Sequence, residues 1–174
     1  MPDIDYATLF IAVPSPLLVL GPDLVIADAN RAYLEATNRT RNDLVGAYLF
    51  EAFPANPADG QADGVKNLSL SFQRVLATRK RDMMVVQKYD IPAAGQPGAF
   101  EERWWFAVNT PVLGPDGQGQ GIIHRVEDVT AFVRAQAGVA APIHRSPRGP
   151  GRPPGPRRAR PTMPTTRWCS TPTA

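Results

Sequence analysis

The chain has 174 residues, 43% hydrophobic and 20% charged, with a formal net charge of +3, which suits one domain with a sizeable core and a tail. Residues 1–138 carry all 16 acidic and 12 of the 19 basic residues, while residues 139–174 carry seven Arg and no acid, so the basic balance belongs to the tail and says nothing of the domain's partners. The single Cys169 excludes an intramolecular disulfide and a cysteine metal cluster, and without a secretory leader or an apolar run near the roughly 20 residues of a membrane span the expected location is cytoplasmic.

In chain order, Asp3 to Ala12 predicts a short helix capped by Asp3 or Asp5 and halted by Pro14-Ser15-Pro16, so residues 1–13 form an N-terminal flanking helix. Leu17 to Leu20 and Val25 to Ala27 are apolar and flank the turn-forming Gly21-Pro22-Asp23, the pattern of a hairpin. The second strand is expected to stop at Asp28-Ala29-Asn30, where Asp28 and Asn30 supply acceptors for free backbone N–H groups at a strand-to-helix corner. Ala29, Ala32, Tyr33 and Ala36 then recur at helical spacing with Arg31 and Glu35 on the wet side. Thr40-x-x-Asp43 is a capping box with Asp in place of Glu, and Gly46 terminates the second small helix.

Leu49, Phe50 and Phe53 form an apolar cluster ended by Pro54, followed by a turn-rich stretch. A helix from Asp63 or Gly64 to Thr78 places Val65, Leu68, Phe72, Val75 and Leu76 on one face. The basic run Arg79-Lys80-Arg81 has no interleaved aromatics and sits in an acidic domain, so it reads as a solvated turn at a helix C-terminus rather than a nucleic-acid site. Three strands follow, Asp82–Ile91, Phe100–Val112 and Gly121–Val129, joined by Gly/Pro-rich connections of hairpin length. Trp104, Phe106 and Val108 point to one sheet face and Trp105 and Ala107 to the other, so both faces need covering.

The hairpin, the Asn30-Arg31-Ala32-Tyr33 run after it and Asp43-Leu44-Val45-Gly46 resemble the start of a PAS domain, a small sensory module. Asp128-Val129-Thr130 after the last strand resembles the D-x-T that ends many such domains. The resemblance covers residues 5–135. It implies an α+β PAS fold: a five-stranded antiparallel sheet with helices inserted between strands 2 and 3, and flanking helices at both ends. Residues 14–130 would be the sensory domain and 131–138 the start of a signalling helix. Within the family, the resemblance is to the bacterial sensory modules that precede histidine kinase or phosphatase output domains. PAS domains enclose a small pocket under one sheet face, and the other face packs on a helix, a coiled coil or a second subunit.

No catalytic machinery is expected, and the chain is read as a non-enzyme. Glu101-Glu102 and Glu127-Asp128 are neighbours on strands, so each pair points to opposite faces and cannot act together on one substrate. No cofactor is predicted: the covalent flavin and the cysteine-linked chromophore of photochemical PAS domains need a Cys inside the fold, and a haem-ligating His is missing from residues 63–78. His124 shares a face with Ile122 and Val126, which makes it a core imidazole rather than a metal ligand. The resemblance implies a small pocket, either filled by side chains or open to a ligand, lined by some of Tyr33, Phe53, Phe72, Trp105 and His124. Asn30 and Gly46 serve as fold motifs, Asp128 or Thr130 caps the outgoing helix, and the resemblance implies that both relay the signal.

The function so read is sensing of a small ligand or a partner, relayed through the C-terminal helix. The alternatives are a constitutive dimerisation or protein-interaction module and a truncated remnant of a multidomain sensor kinase or phosphatase. A homodimer or a partner signalling protein is expected. Residues 141–174 hold nine Pro and seven Arg, a composition that predicts disorder. They read either as a basic arm or as the product of a frameshift in GC-rich coding DNA, because helical composition stops close to Gly138.

Overall fold

The computed structural model describes residues 4–140, with side chains through Gly138; the expectations for the tail lie outside the described residues. Asp5 caps the first helix, α1 (Tyr6–Ala12), by accepting from Ala7 N at 3.0 Å. The prolines after it bring the chain to β1 (Leu17–Leu20), which pairs antiparallel with β2 (Ile26–Ala29). The second strand therefore runs through Asp28 and Ala29 instead of stopping there. Ala29 pairs with Leu18 and is buried, and this cross-strand contact holds the backbone extended up to Asn30.

Asn30 caps α2 (Arg31–Thr37), Thr40 and Asp43 form the predicted capping box of α3 (Arg41–Leu44), and Gly46 turns the chain at φ +87°. Leu49, Phe50, Glu51 and Ala52 form one helical turn, α4 (Leu49–Ala52), where the sequence predicts only an apolar cluster. The long helix α5 (Gly64–Thr78) has the predicted bounds, and Arg79 closes it in the left-handed region at φ 55°. Its buried stripe includes a polar member, Ser71, which is fully enclosed.

The third predicted strand is interrupted. It contributes β3 (Asp82–Met83) and β4 (Gln87–Lys88), both antiparallel to β7 (Trp104–Leu113). Between them Met84 turns inward, its N–H donating to Ala107 O at 2.9 Å, and Val85 is left 85% exposed. This is a bulge at a sheet edge, where unpaired backbone faces water. The expected continuation to Ile91 is instead a separate ribbon of β5 (Ile91–Pro92) and β6 (Phe100–Glu101). β8 (Gly119–Asp128) completes the sheet in the order β2-β1-β8-β7-β3, with β4 extending the β3 edge. Counting β3 and β4 as one broken strand gives the five antiparallel strands expected, with α2 to α5 inserted between the second and the third.

Leu18, Leu20, Trp105, Ala107, Ile122 and Val126 form the sheet side of the core, and Leu44, Leu49, Leu68, Phe72 and Val75 form its helical side. On the opposite face of β7, Trp104, Phe106 and Val108 are half-buried. The outgoing helix α6 (Thr130–Ala140) begins one residue earlier and runs two residues further than predicted, past Gly138. No helix among the described residues is long and apolar enough to cross a membrane.

Candidate functional site

Between the sheet and α2, α4 and α5 lies a cavity of about 50 Å³, measured as the space open to the centre of a water molecule. A single water needs only about 10–15 Å³ by that measure, so the space admits a small molecule. Tyr33 and Thr37 reach it from one face of α2, being four residues apart, and Leu68 reaches it from α5. Trp105 and Ala107 of β7 and His124 and Val126 of β8 alternate into it from the sheet, and Gln87 and Tyr89 close it from the edge strand and the residue beside it. Asp, Glu, Lys and Arg are missing from this lining.

Of the five pocket residues expected from sequence, Tyr33, Phe53, Trp105 and His124 lie on the cavity wall. Phe72 does not. One helical turn beyond Leu68, it is fully buried against His124, with ring centroids 5.4 Å apart in an edge-on arrangement, and against Phe50 at 6.5 Å. It backs the histidine rather than facing the open space. Tyr89 is a wall residue missed by sequence reading. Its hydroxyl donates to Phe53 O at 2.5 Å and its carbonyl accepts from Trp105 Nε1 at 2.9 Å, so it fixes two other wall residues. The alternation that singles out Trp105 on β7 gives no equivalent signal for Tyr89, which follows a broken strand.

His124 is the polar residue that the central strands of the sheet add to the wall. Its Nδ1 lies 2.6 Å from Asn109 Oδ1; Asn109 Nδ2 donates to Ser71 Oγ at 2.7 Å; and the Ser71 hydroxyl donates to Asp82 at 2.5 Å. Asp82 in turn pairs with Arg74 at 2.7 Å. A buried polar chain thus runs from the cavity to an ion pair at the surface. Arg74 beside Asp82, above all, and the Ser71 hydroxyl hold its carboxyl below the usual carboxylate range, against a smaller upward push from partial burial. Burial without a charged partner lowers His124 to about 4, so the imidazole is neutral. Ser71 and Asn109 escaped the sequence reading, although each is a polar residue at a buried position, Ser71 on the α5 stripe and Asn109 two residues on from Ala107.

Asn30 makes all four hydrogen bonds its amide allows. Oδ1 accepts from Leu17 N and Tyr33 N, each at 3.0 Å, and Nδ2 donates to Val13 O at 3.0 Å and Ser15 O at 2.8 Å. It ties the segment after α1 to the first strand and to the helix that carries Tyr33. At the other end of the domain, Asp128 accepts from Thr130 N at 2.9 Å and pairs with Arg103 at 2.5 Å. Thr130 Oγ1 accepts from Trp104 N at 2.9 Å, so this side chain holds the start of α6 to β7 instead of capping the helix. Arg103 also binds Glu101 at 2.6 Å, and Arg134 of α6 reaches Glu102 at 3.4 Å.

A comparison with curated proteins gives no match. Among solved structures, the chain is similar to a PAS domain from Colwellia psychrerythraea at 15% identity, covering 72% of this chain and 95% of that one with a TM-score of 0.55. It is similar to the PAS domain, in complex with ethanol, of a LuxR-family transcriptional regulator from Burkholderia thailandensis, at 20% identity over 72% of this chain and 98% of that one, TM-score 0.50. The Vibrio cholerae VqmA of a VqmA–ligand–DNA complex matches at 20% identity over 82% of this chain and 63% of that one, TM-score 0.55. A family model described as PAS fold matches residues 10–134. With strand order, inserted helices, the Asn30 corner and the Asp128–Thr130 closure all in place, the chain belongs to the PAS fold family.

Proposed function

We propose that this PAS domain is a non-enzymatic sensory module that binds a small molecule between Tyr33, Trp105 and His124 and passes the change outward through α6. The single observation that carries this reading is the apolar cavity with a neutral imidazole in its wall, under the same sheet that anchors the outgoing helix. Trp105 lies in the cavity wall and follows directly on Trp104, whose N–H holds Thr130. A ligand that favours one setting of β7 therefore shifts the population of α6 positions. The ethanol complex and the VqmA–ligand–DNA complex support the reading by likeness of fold.

The second reading is a constitutive association module. It is favoured by α1, which has no buried residue and leaves Tyr6 77%, Leu9 50% and Ile11 39% exposed. Native mass spectrometry on the full chain, purified without refolding, separates the two. A reproducible extra mass on the chain supports the sensor, and a ligand-free dimer supports the association module.

A further inference from the structure

We infer that the cavity selects small uncharged molecules carrying a hydrogen-bond donor, a hydroxyl or N–H that donates to His124 Nε2. The inference rests on the ligand reading above and adds the chemical class of the ligand.

The polarity of the buried chain fixes the imidazole tautomer. Asp82 is ionised and accepts only, so the Ser71 hydroxyl must donate to it. Ser71 Oγ is then the acceptor for Asn109 Nδ2, which turns Asn109 Oδ1 towards His124. An amide oxygen cannot donate, so His124 carries its proton on Nδ1 and leaves Nε2 with a free lone pair. Nε2 makes no hydrogen bond within the described residues. It is also not among the fully enclosed unpaired atoms, which in the described residues are Arg39 Nε and Asp90 Oδ1. Nε2 therefore touches open space, and since His124 is only 4% exposed, that space is the cavity it lines.

The same reasoning applies to Tyr33, which is 4% exposed and whose hydroxyl makes no hydrogen bond in the described residues. It offers either a donor or an acceptor. Ionic ligands find no counter-charge in the wall, and burying a bare charge there is costly. An acceptor-only ligand would set its lone pair against that of Nε2. A neutral donor satisfies Nε2 and sets its apolar part against Leu49, Leu68, Ile91 and Val126.

The test is NMR titration of the full chain with two five-membered rings of nearly identical shape, pyrrole, which donates, and furan, which only accepts. Propanol and propionate form a second pair that differs in charge. His144→Gln leaves His124 as the one histidine to assign in the ¹⁵N spectrum. The expected result is at least tenfold tighter binding of pyrrole than of furan and of propanol than of propionate. Pyrrole should also move the Nε2 resonance to lower frequency while Nδ1 keeps its proton, and His124→Phe should bring pyrrole down to the furan level. Equal or tighter binding of furan or propionate, seen as shifts of the Tyr33 and Trp105 resonances, overturns the donor rule but leaves the ligand site standing. A proton found on Nε2 in the free protein overturns it without reference to any variant. If none of the four probes moves Tyr33 or Trp105, the ligand reading fails and the inference with it.

Discussion

His124 Nδ1 and Asn109 Oδ1 face each other at 2.6 Å across the β7–β8 pair, at positions directly opposite in the register. This one contact joins the cavity wall to a polar chain that leaves the core through Ser71 and Asp82. Removing its middle member should be felt at both ends. Ser71→Ala leaves Asn109 Nδ2 with only Met84 Sδ at 3.6 Å. An unsatisfied buried donor costs about 1–3 kcal/mol, so the urea midpoint should fall accordingly, and the His124 ¹⁵N spectrum should show a mixture of tautomers. A single unchanged tautomer would mean that Asn109 is oriented by something other than Ser71.

Stability should decline in mildly acidic solution because of His124. Its folded-state value is depressed from 6.5 to about 4 by burial. The unfolded chain therefore binds a proton below pH 6.5 that the folded chain refuses until about pH 4. The stabilisation is complete above pH 6.5, falls through that window, and amounts to about 3 kcal/mol in all. Denaturation midpoints measured at pH 7 and pH 4.5 should differ in the natural chain and much less in His124→Gln. Parallel losses in the two proteins would assign the acid sensitivity to the carboxylates instead.

Asn30→Ala removes four hydrogen bonds at once and strands Leu17 N, Tyr33 N, Val13 O and Ser15 O at the corner. A cap of this kind, together with its buried contacts, is worth about 3 kcal/mol. The loss should appear in the thermal midpoint, with Tyr33 ring resonances broadened as α2 loosens. Asn30→Asp keeps the acceptor but not the two donors and should fall between the two proteins.

Gly46 is held at φ +87°, while a Cβ placed there would meet nothing within 4 Å. Its requirement is therefore backbone conformation alone. Gly46→Ala should cost about 1–2 kcal/mol, and Gly46→Asn less, since Asn enters the left-handed region more readily. A loss for Gly46→Ala beyond that range would point to a steric contact.

Arg103 and Asp128 are about three-quarters buried as side chains, and they join the start of β7 to the start of α6. Asp128→Ala should speed amide exchange throughout α6 while leaving α5 protected. In a double-mutant cycle with Arg103→Ala the coupling should be about 1 kcal/mol. Uniform exchange across α5 and α6 would show that the pair supports the whole domain rather than the outgoing helix.

The sequence by itself determined the hairpin, the capping box, the limits of α5 and the alternation of β7 and β8. Each of these is written in local chemistry: a turn former between apolar runs, an oxygen before a helix, a period of 3.6 or of 2. The same local signals marked Asn30, Gly46 and Asp128, because special backbone and capping positions demand particular residue types, whereas the bond from Trp104 N to Thr130 Oγ1 is a tertiary contact. They also brought out Tyr33, Trp105 and His124, large side chains on faces whose direction the period fixes.

Tertiary structure alone decided the rest. The break at Met84–Val86 follows from Met84 turning into the core against β7, a contact that local propensity does not report. Phe72 and Leu68 lie on one helical stripe, and only the packing of α5 on the sheet sends Leu68 to the cavity and Phe72 behind His124. Ser71, Asn109 and Asp82 are far apart in sequence, so their alignment behind the imidazole exists only after α5, β3, β7 and β8 have come together. A buried polar chain of this kind depends on distances between elements, and those distances are set by the packing of the core.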